Sequence, residues 1–260
     1  MRPVSAVCLS AFLAFSAAGC AALSSAESAT PDYSAQAESN LRKGDEAMER
    51  RDFEQAAAYF EHVRTKFPYL EVANQAELKL ADLEFAREQF PEAKEKYQSF
   101  IKLHPTHPQV DYAAWRAALT HVEAIPGDFI LLPPSYEKDQ TEVRSALRAL
   151  TDFLEQYPKS SYLPEAQKKA EEVRRRLAEH ELYVASFYAR RERWKAVAQR
   201  LEGLLERYPG SPFEEQAFFD LHNAYQQQND AERARKTLER VIEKLPGTPA
   251  AERARRMLGS

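Results

Sequence analysis

Residues 90–105 read FPEAKEKYQSFIKLHP, and this stretch contains the pattern that decides the fold. Counted back from Pro105, small or apolar side chains lie at five, eight and twelve residues, at Phe100, Tyr97 and Ala93. These spacings place the three side chains on one face of a helix. Proline cannot continue a helix, because it lacks a backbone N–H and disfavours helical angles at the preceding residue. The stretch therefore predicts an amphipathic helix that ends just before the proline.

The same arrangement occurs five times along the chain. The prolines are Pro68, Pro105, Pro158, Pro209 and Pro246. The residues five before them are Val63, Phe100, Phe153, Leu204 and Val241, and those eight before are Phe60, Tyr97, Leu150, Leu201 and Leu238. Twelve before lie Ala56, Ala93, Ala146, Val197 and Ala234, and eight after lie Ala76, Ala113, Ala166, Ala217 and Ala254. Alanine suits places where two helix backbones approach closely, so each occurrence predicts a pair of packed helices.

This pattern resembles the tetratricopeptide repeat (TPR), a helix pair that stacks on its neighbours. The first unit fits that repeat at Gly44, Phe53, Ala56, Phe60 and Pro68. Only seven glycines occur in 260 residues, beside many Ala, Leu, Glu, Arg and Gln residues, which also favours helix. We predict an all-α chain, a right-handed superhelical stack of five TPR-like helix-turn-helix repeats.

The middle of the chain departs from an even repeat. Successive prolines are 37, 53, 51 and 37 residues apart, so the third and fourth units carry insertions. In the third unit the insertion is a loop from Pro126 to Pro134, and in the fourth it extends one helix over about 162–190. The loop contains four consecutive apolar residues, 129–132, which either fold over a repeat edge or form an exposed contact site. The role of residues 126–138 stays open.

The N-terminus differs in composition from the rest. Arg2 precedes an apolar run from Val4 to Ala18, which is short for a membrane span and typical of an export signal. The small residues before Cys20 resemble a bacterial lipoprotein box, in which the cysteine is acylated and becomes the mature N-terminus. A plain secretory signal with an incidental cysteine is the alternative. Cys8 lies inside the signal, so the mature chain keeps a single cysteine and has no internal disulfide.

The predicted organisation follows from these features. Its parts are a lipoprotein signal peptide at 1–19, a lipid-anchored flexible tether at 20–37, repeats one and two with the first helix of repeat three at 38–125, the loop insertion and second helix of repeat three at 126–160, and repeats four and five with a closing helix at 161–258.

Charge and motifs give no sign of catalysis or of nucleic-acid binding. The formal net charge is -4 and no long block of one sign occurs. The HxxH at His104 and His107 flanks prolines and has no third ligand at metal-binding spacing, and Val184 stands where a zinc-protease motif starting at His180 needs its second histidine. The chain also lacks a Gly-rich phosphate loop and a GxSxG motif. We predict a protein that is not an enzyme and uses no cofactor or metal.

Two longer stretches resemble the BamD family of outer-membrane assembly lipoproteins. They are His104-Pro105-Thr106-His107-Pro108, and Val184-Ala185-Ser186-Phe187-Tyr188 leading into Trp194-Lys195-Ala196-Val197 and Arg200-Leu201-Glu202-Gly203. The resemblance implies a location at the periplasmic face of the outer membrane, anchored through Cys20. It also implies docking to BamA by the C-terminal repeats and capture of unfolded β-barrel proteins by the N-terminal ones, with companion lipoproteins as further partners. The alternative is a repeat lipoprotein that recruits or regulates peptidoglycan or polysaccharide machinery.

The repeat register also predicts binding residues. The first helix of each TPR unit lines the concave surface of a stack, where an extended peptide can bind. The residues expected there are Leu78, Asp82, Phe85, Tyr112, Trp115 and Leu119. For Phe85 and for Trp115, packing between repeats is an equal alternative.

A second predicted contact site lies in the fourth unit. Arg200 matches a family arginine that pairs with an acidic residue of BamA, and Trp194 lies on the same predicted helix. An exposed guanidinium beside an aromatic residue is a common interface anchor. A solvated surface charge is the alternative for Arg200.

Overall fold

The computed structural model describes residues 33–125, 135–137 and 139–259, in which eleven α-helices and one short 3₁₀ helix occur and no strand. The helices are α1 Tyr33–Glu49, α2 Phe53–Lys66, α3 Glu71–Ala86, α4 Phe90–Leu103, α5 Val110–Glu123, α6 Thr141–Gln156, α7 Leu163–Ala189, α8 Trp194–Arg207, α9 Glu214–Gln227, α10 Ala231–Lys244 and α11 Pro249–Gly259. The signal peptide at 1–19, Cys20 and the loop at 126–134 lie outside the described residues.

Each helix packs against the next along the chain, so the helices form five consecutive pairs followed by α11. Every side chain of the repeat register, in all five units, is at most 3% exposed. Large side chains such as Phe60, Tyr97 and Leu150 fill the space between helices that the alanines bring together. The prediction of an all-α stack of TPR-like repeats is confirmed.

The prolines end the second helix of every unit, as predicted. The last residue before the proline is the C-cap in all five, at Phe67, His104, Tyr157, Tyr208 and Leu245. Each of these residues has φ between -120° and -130°, and its N–H donates to the carbonyl four residues back. The proline that follows supplies no donor for a further turn of helix.

The turn inside a unit has its own repeated geometry. In units one, two, four and five one residue adopts a left-handed conformation, with φ between 54° and 61°. These residues are Arg51, Glu88, Glu192 and Asn229. The next N–H then donates to the carbonyl five residues back, as Asp52 does to Ala47 and Asp230 to Tyr225. This bond closes the first helix and fixes where the second begins.

The insertion of the fourth unit lengthens α7. This helix spans 27 residues, close to the predicted 162–190. The 3₁₀ helix Ser135–Glu137, at the end of the third unit's insertion, packs on it. The carbonyl oxygen of Tyr136 lies 2.5 Å from Nδ1 of His180, and the Tyr136 and Tyr183 rings are 5.3 Å apart. His180 thus holds this short 3₁₀ helix against α7.

The predicted end of the tether at residue 37 is wrong, because α1 already begins at Tyr33. The reason is a contact distant in sequence. The Tyr33 ring packs 4.5 Å from that of Phe67, and its hydroxyl donates to the carbonyl of Lys66. These contacts stabilise an additional turn of helix that local composition does not indicate.

Candidate protein-binding site

The carboxylate of Asp82 joins the second and third units. Its Oδ1 accepts hydrogen bonds from the hydroxyls of Tyr97, at 2.5 Å, and of Tyr112, at 2.7 Å. The same oxygen lies 3.4 Å from Nε of Arg116. The three partners come from α4 and α5, so one carboxylate on α3 fixes the position of both following helices.

Arg116 completes this group, which we call the Asp82 cluster: Asp82, Phe85, Tyr97, Tyr112 and Arg116. The Arg116 Nε donates to the Tyr97 hydroxyl at 3.1 Å, and the guanidinium lies 3.8 Å from the centre of the Phe85 ring. That stacking is a cation–π interaction. Apart from the buried Tyr97, all members are half-buried, so the cluster is partly accessible to solvent.

Burial raises the pKa of Tyr97 and of Tyr112 well above the usual range for tyrosine, and the neighbouring carboxylate of Asp82 raises both further. Both side chains therefore stay protonated at any ordinary pH and remain donors to Asp82. The cluster presents one face with a guanidinium, a phenol and an aromatic ring. Such a face can bind carbonyl groups and aromatic side chains of another polypeptide.

The structure brings only half of the predicted groove residues to this face. Asp82, Phe85 and Tyr112 belong to the cluster, whereas Leu78, Trp115 and Leu119 are 3%, 2% and 8% exposed. Leu78 packs in the core between units two and three. Trp115 packs 5.7 Å from the Phe153 ring and is stacked on Tyr162 at 6.4 Å. The prediction was wrong for these three, because neighbouring helices cover this part of the expected groove.

Two members of the cluster were not predicted to bind. Tyr97 was assigned to the core from its register position, and its ring is indeed buried, but its hydroxyl reaches Asp82. Arg116 lies four residues after Tyr112, one helical turn away on the same face. This spacing is the sequence feature that could have identified Arg116 as a member of the site.

A second polar group lies in the fourth unit. Glu181 of α7 is 8% exposed and is held between two arginines of α8. Its Oε2 accepts from Nη1 of Arg200 at 3.3 Å, and its Oε1 from Nη2 of Arg207 at 2.7 Å. The arginine side chains are 42% and 52% exposed. Two guanidiniums facing one carboxylate leave an excess positive charge at this surface.

Gly203 leaves room for the second of these contacts. A Cβ at this position would lie 2.7 Å from Nη2 of Arg207, in the space that the guanidinium occupies. Because Gly203 has no side chain, Arg207 can lie back along its own helix and reach Glu181. We call Glu181, Arg200 and Arg207 the arginine pair site.

Trp194 does not accompany Arg200 as expected. Arg200 and Arg207 line a depression of about 220 Å³ together with Tyr188, whereas Trp194 lines a different one beside Arg193 and Gln228. The two residues are six positions apart on α8, which places them on different sides of the helix. The aromatic neighbour of Arg200 is therefore Tyr188.

The histidines of the HxxH bind glutamates of α3. Nε2 of His104 lies 2.9 Å from Oε2 of Glu77, and Nε2 of His107 lies 2.5 Å from Oε1 of Glu71. These contacts tie the turn after α4 back to the first helix of its unit.

Within the described ranges no helix is long and apolar enough to cross a membrane.

The sequence of the chain is similar to known proteins of one family. The family model described as outer membrane lipoprotein (YfiO) matches residues 34–239. The outer membrane protein assembly factor BamD of Pasteurella multocida is 27% identical over 212 residues, which cover 80% of this chain and 81% of that protein. The protein of the same name from Xylella fastidiosa Temecula1 is 30% identical, over 68% of this chain and 61% of its own length. The one from Vibrio cholerae is 28% identical over 76% of both.

Solved structures of TPR proteins are also similar. The TPR2AB domain of yeast Sti1, in its complex with pHSP90, covers 86% of this chain with a TM-score of 0.43 and 11% sequence identity. A thermophilic TPR protein from Thermus thermophilus covers 86% with a TM-score of 0.35 and 14% identity.

Replacing Asp82 tests whether the cluster is a structural unit. Asp82→Asn removes the charge that Arg116 faces, and we expect it to lower the free energy of unfolding by about 1.5–3 kcal/mol, since hydrogen bonds to charged groups are worth that much. Tyr112→Phe removes a single donor and should cost about 0.5–1.5 kcal/mol. Urea denaturation of both variants measures the difference. Equal stability of Asp82→Asn and the unaltered protein would contradict the role of this carboxylate.

Proposed function

Because the chain belongs to the BamD family of outer membrane lipoproteins, we propose that it is a non-enzymatic scaffold of the β-barrel assembly (BAM) complex at the periplasmic face of the outer membrane. In this proposal the N-terminal repeats hold unfolded outer-membrane β-barrel proteins. The C-terminal repeats dock to the periplasmic domains of BamA. A lipid on Cys20 attaches the chain to the membrane, and companion lipoproteins of the complex are further partners.

The Asp82 cluster is the observation that carries the proposal of substrate capture. It combines a stacked guanidinium with two aromatic side chains on a face that is partly accessible to solvent. Arg116 is fixed by Asp82 and Tyr97 before any ligand arrives, so little side-chain freedom is lost when a polypeptide binds. The arrangement suits an extended chain that offers carbonyl oxygens and aromatic rings in succession.

The arginine pair site supports the proposal of docking to BamA. Glu181 holds both guanidiniums in place, and the excess positive charge favours an acidic partner residue. Tyr188, in the same depression, adds an aromatic wall. Arginine and tyrosine are frequent in the energetic centres of protein interfaces.

Charge reversal at Arg200 tests the docking proposal. We expect Arg200→Glu to reduce the BamA recovered with the protein from detergent-solubilised outer membranes by at least about tenfold, because losing one member of a close interfacial charge pair costs about 2–5 kcal/mol. Arg64→Glu makes the same charge change on α2, where Arg64 pairs with Glu61, and serves as the control. Unchanged BamA recovery with Arg200→Glu would contradict this contact. Recovery of peptidoglycan enzymes without BamA would favour the alternative envelope role.

A photo-crosslinking amino acid at position 85 tests substrate capture. With a urea-unfolded outer-membrane β-barrel protein as the substrate, position 85 should crosslink efficiently, because Phe85 forms the aromatic face of the cluster. Position 69 is the control, since Tyr69 is 95% exposed and does not belong to the cluster. The yields are read from denaturing gels. Equal yields at the two positions would show that the cluster has no part in capture.

A further inference from the structure

Three side chains of the first two units are unusually exposed for their type. Tyr69 is 95% exposed, Leu103 63% and Tyr33 48%, and these are the highest values for large apolar side chains in the described part of the chain. A single exposed apolar residue needs no explanation, whereas several at one place mark an interaction site.

Helix packing brings these three residues to one edge of the stack. Tyr33 lies at the start of α1, and its ring packs on that of Phe67 at the end of α2, two residues before Tyr69. In the next unit Leu103 is the last residue of α4. The turn that follows α4 is hydrogen-bonded to the first residue of α3, which lies only two residues after Tyr69. We call Tyr33, Tyr69 and Leu103 the apolar edge.

The repeat register identifies Tyr69 and Leu103 as exceptions. One residue after the repeat proline, where unit one has Tyr69, the other units have polar residues or glycine: Thr106, Lys159, Gly210 and Gly247. Two residues before the proline, where unit two has Leu103, the other units have polar residues: Lys66, Gln156, Arg207 and Lys244. The turn between units therefore requires neither a tyrosine nor a leucine, so their presence needs a separate reason.

Lysines flank the apolar edge. Lys66 and Lys102 are exposed near the ends of α2 and α4, and neither ammonium group pairs with a carboxylate among the described residues. Glu71, the carboxylate closest in sequence to Tyr69, is bonded to His107. Tyrosine, with an apolar ring and a polar hydroxyl, is enriched at the interface between membrane and water, and lysine binds anionic lipid headgroups. The composition of this edge fits a lipid surface.

The segment that carries the proposed lipid joins the described structure at the apolar edge. Thirteen residues, 20–32, separate Cys20 from Tyr33. Fully extended, they span about 45 Å at most. The other end of α1 lies roughly 25 Å further along the helix axis, since the helix has 17 residues. Tethering at this distance raises the effective concentration of the edge at the membrane, so a weak surface contact is sufficient.

We infer that the apolar edge lies against the lipid surface of the membrane, with its three side chains in the headgroup region and Lys66 and Lys102 at anionic phosphates. The inference rests on the proposed acylation of Cys20. A chain held both by its lipid and by this edge has one orientation at the membrane, with the far end of α1 directed away from the lipid.

The experiment uses the full chain, exported, acylated and reconstituted in vesicles of phosphatidylethanolamine and phosphatidylglycerol. Thr106→Cys places an NBD fluorophore in the exposed turn after α4, and Glu49→Cys places it at the far end of α1. The emission of the label at 106 should shift to shorter wavelength and be quenched by nitroxide-labelled lipid. The label at 49 should show neither change. Equal behaviour of the two labels would overturn the inference.

Two pairs of substitutions test the apolar side chains. Tyr69→Ser with Leu103→Ser should abolish the shift at 106 and leave the melting temperature unchanged, because both side chains are exposed. Phe187→Ser with Met257→Ser removes two exposed apolar side chains outside the first two units and is the control. A shift that survives the first pair, or is lost with the second, would contradict the assignment of this edge.

Vesicles of phosphatidylcholine alone test the lysines. The shift at 106 should be smaller on these vesicles, and Lys66→Glu with Lys102→Glu should remove the difference between the two lipid compositions. Equal shifts of the unaltered chain on both kinds of vesicle would exclude the contact of the lysines with anionic phosphates.

Mass spectrometry of the mature chain separates failure of the anchor from failure of the contact. A chain without an acyl group on Cys20 would overturn the proposed anchor and this inference with it. An acylated, vesicle-bound chain whose label at 106 is unshifted would overturn this inference alone. A shift that appears only after BamA is added would show that a protein, and not lipid, covers the edge.

Discussion

The close approach of helix backbones at the small residues of the repeat is the constraint on which the rest of the structure depends. The alanines eight residues after each proline are fully buried in all five units. In the first unit a Cβ on Gly44 would overlap the ring of Phe60, so that position tolerates no side chain. When backbones lie this close, large residues such as Tyr97 and Leu150, both fully buried, can fill the remaining space. The stack is thus determined by an alternation of small and large side chains.

Both polar sites are built in the same way on this helical stack. A carboxylate on the first helix of a unit holds arginine side chains from later helices, Asp82 for Arg116 and Glu181 for Arg200. The carboxylates are largely buried while the guanidiniums keep a solvent-exposed side. The conformations of these arginine side chains are therefore fixed when the protein folds, before a partner binds. Such pre-organised groups lose little side-chain freedom on binding.

The fold could be predicted from the sequence because its signal is local: spacing of apolar residues within one helix and prolines that end it. The exposure of a site residue depends on how far neighbouring helices cover its face. The sequence of one helix does not show this coverage. Leu78, Trp115 and Leu119 were expected to line the groove but are buried among neighbouring helices. Trp194 and Arg200 share a helix yet line different depressions. The early start of α1 follows from a contact between Tyr33 and Phe67, 34 positions apart, that no local pattern shows.

The most direct test of the central constraint compares one substitution at two alanines. Ala113 is fully buried where α5 meets its neighbours, and Ala58 is exposed on α2. Urea denaturation should show that Ala113→Leu lowers the free energy of unfolding by about 1–3 kcal/mol, the usual cost of overpacking, and that Ala58→Leu changes it by less than about 0.5 kcal/mol. If the two variants are equally stable, close backbone approach at the repeat alanines does not govern the stack.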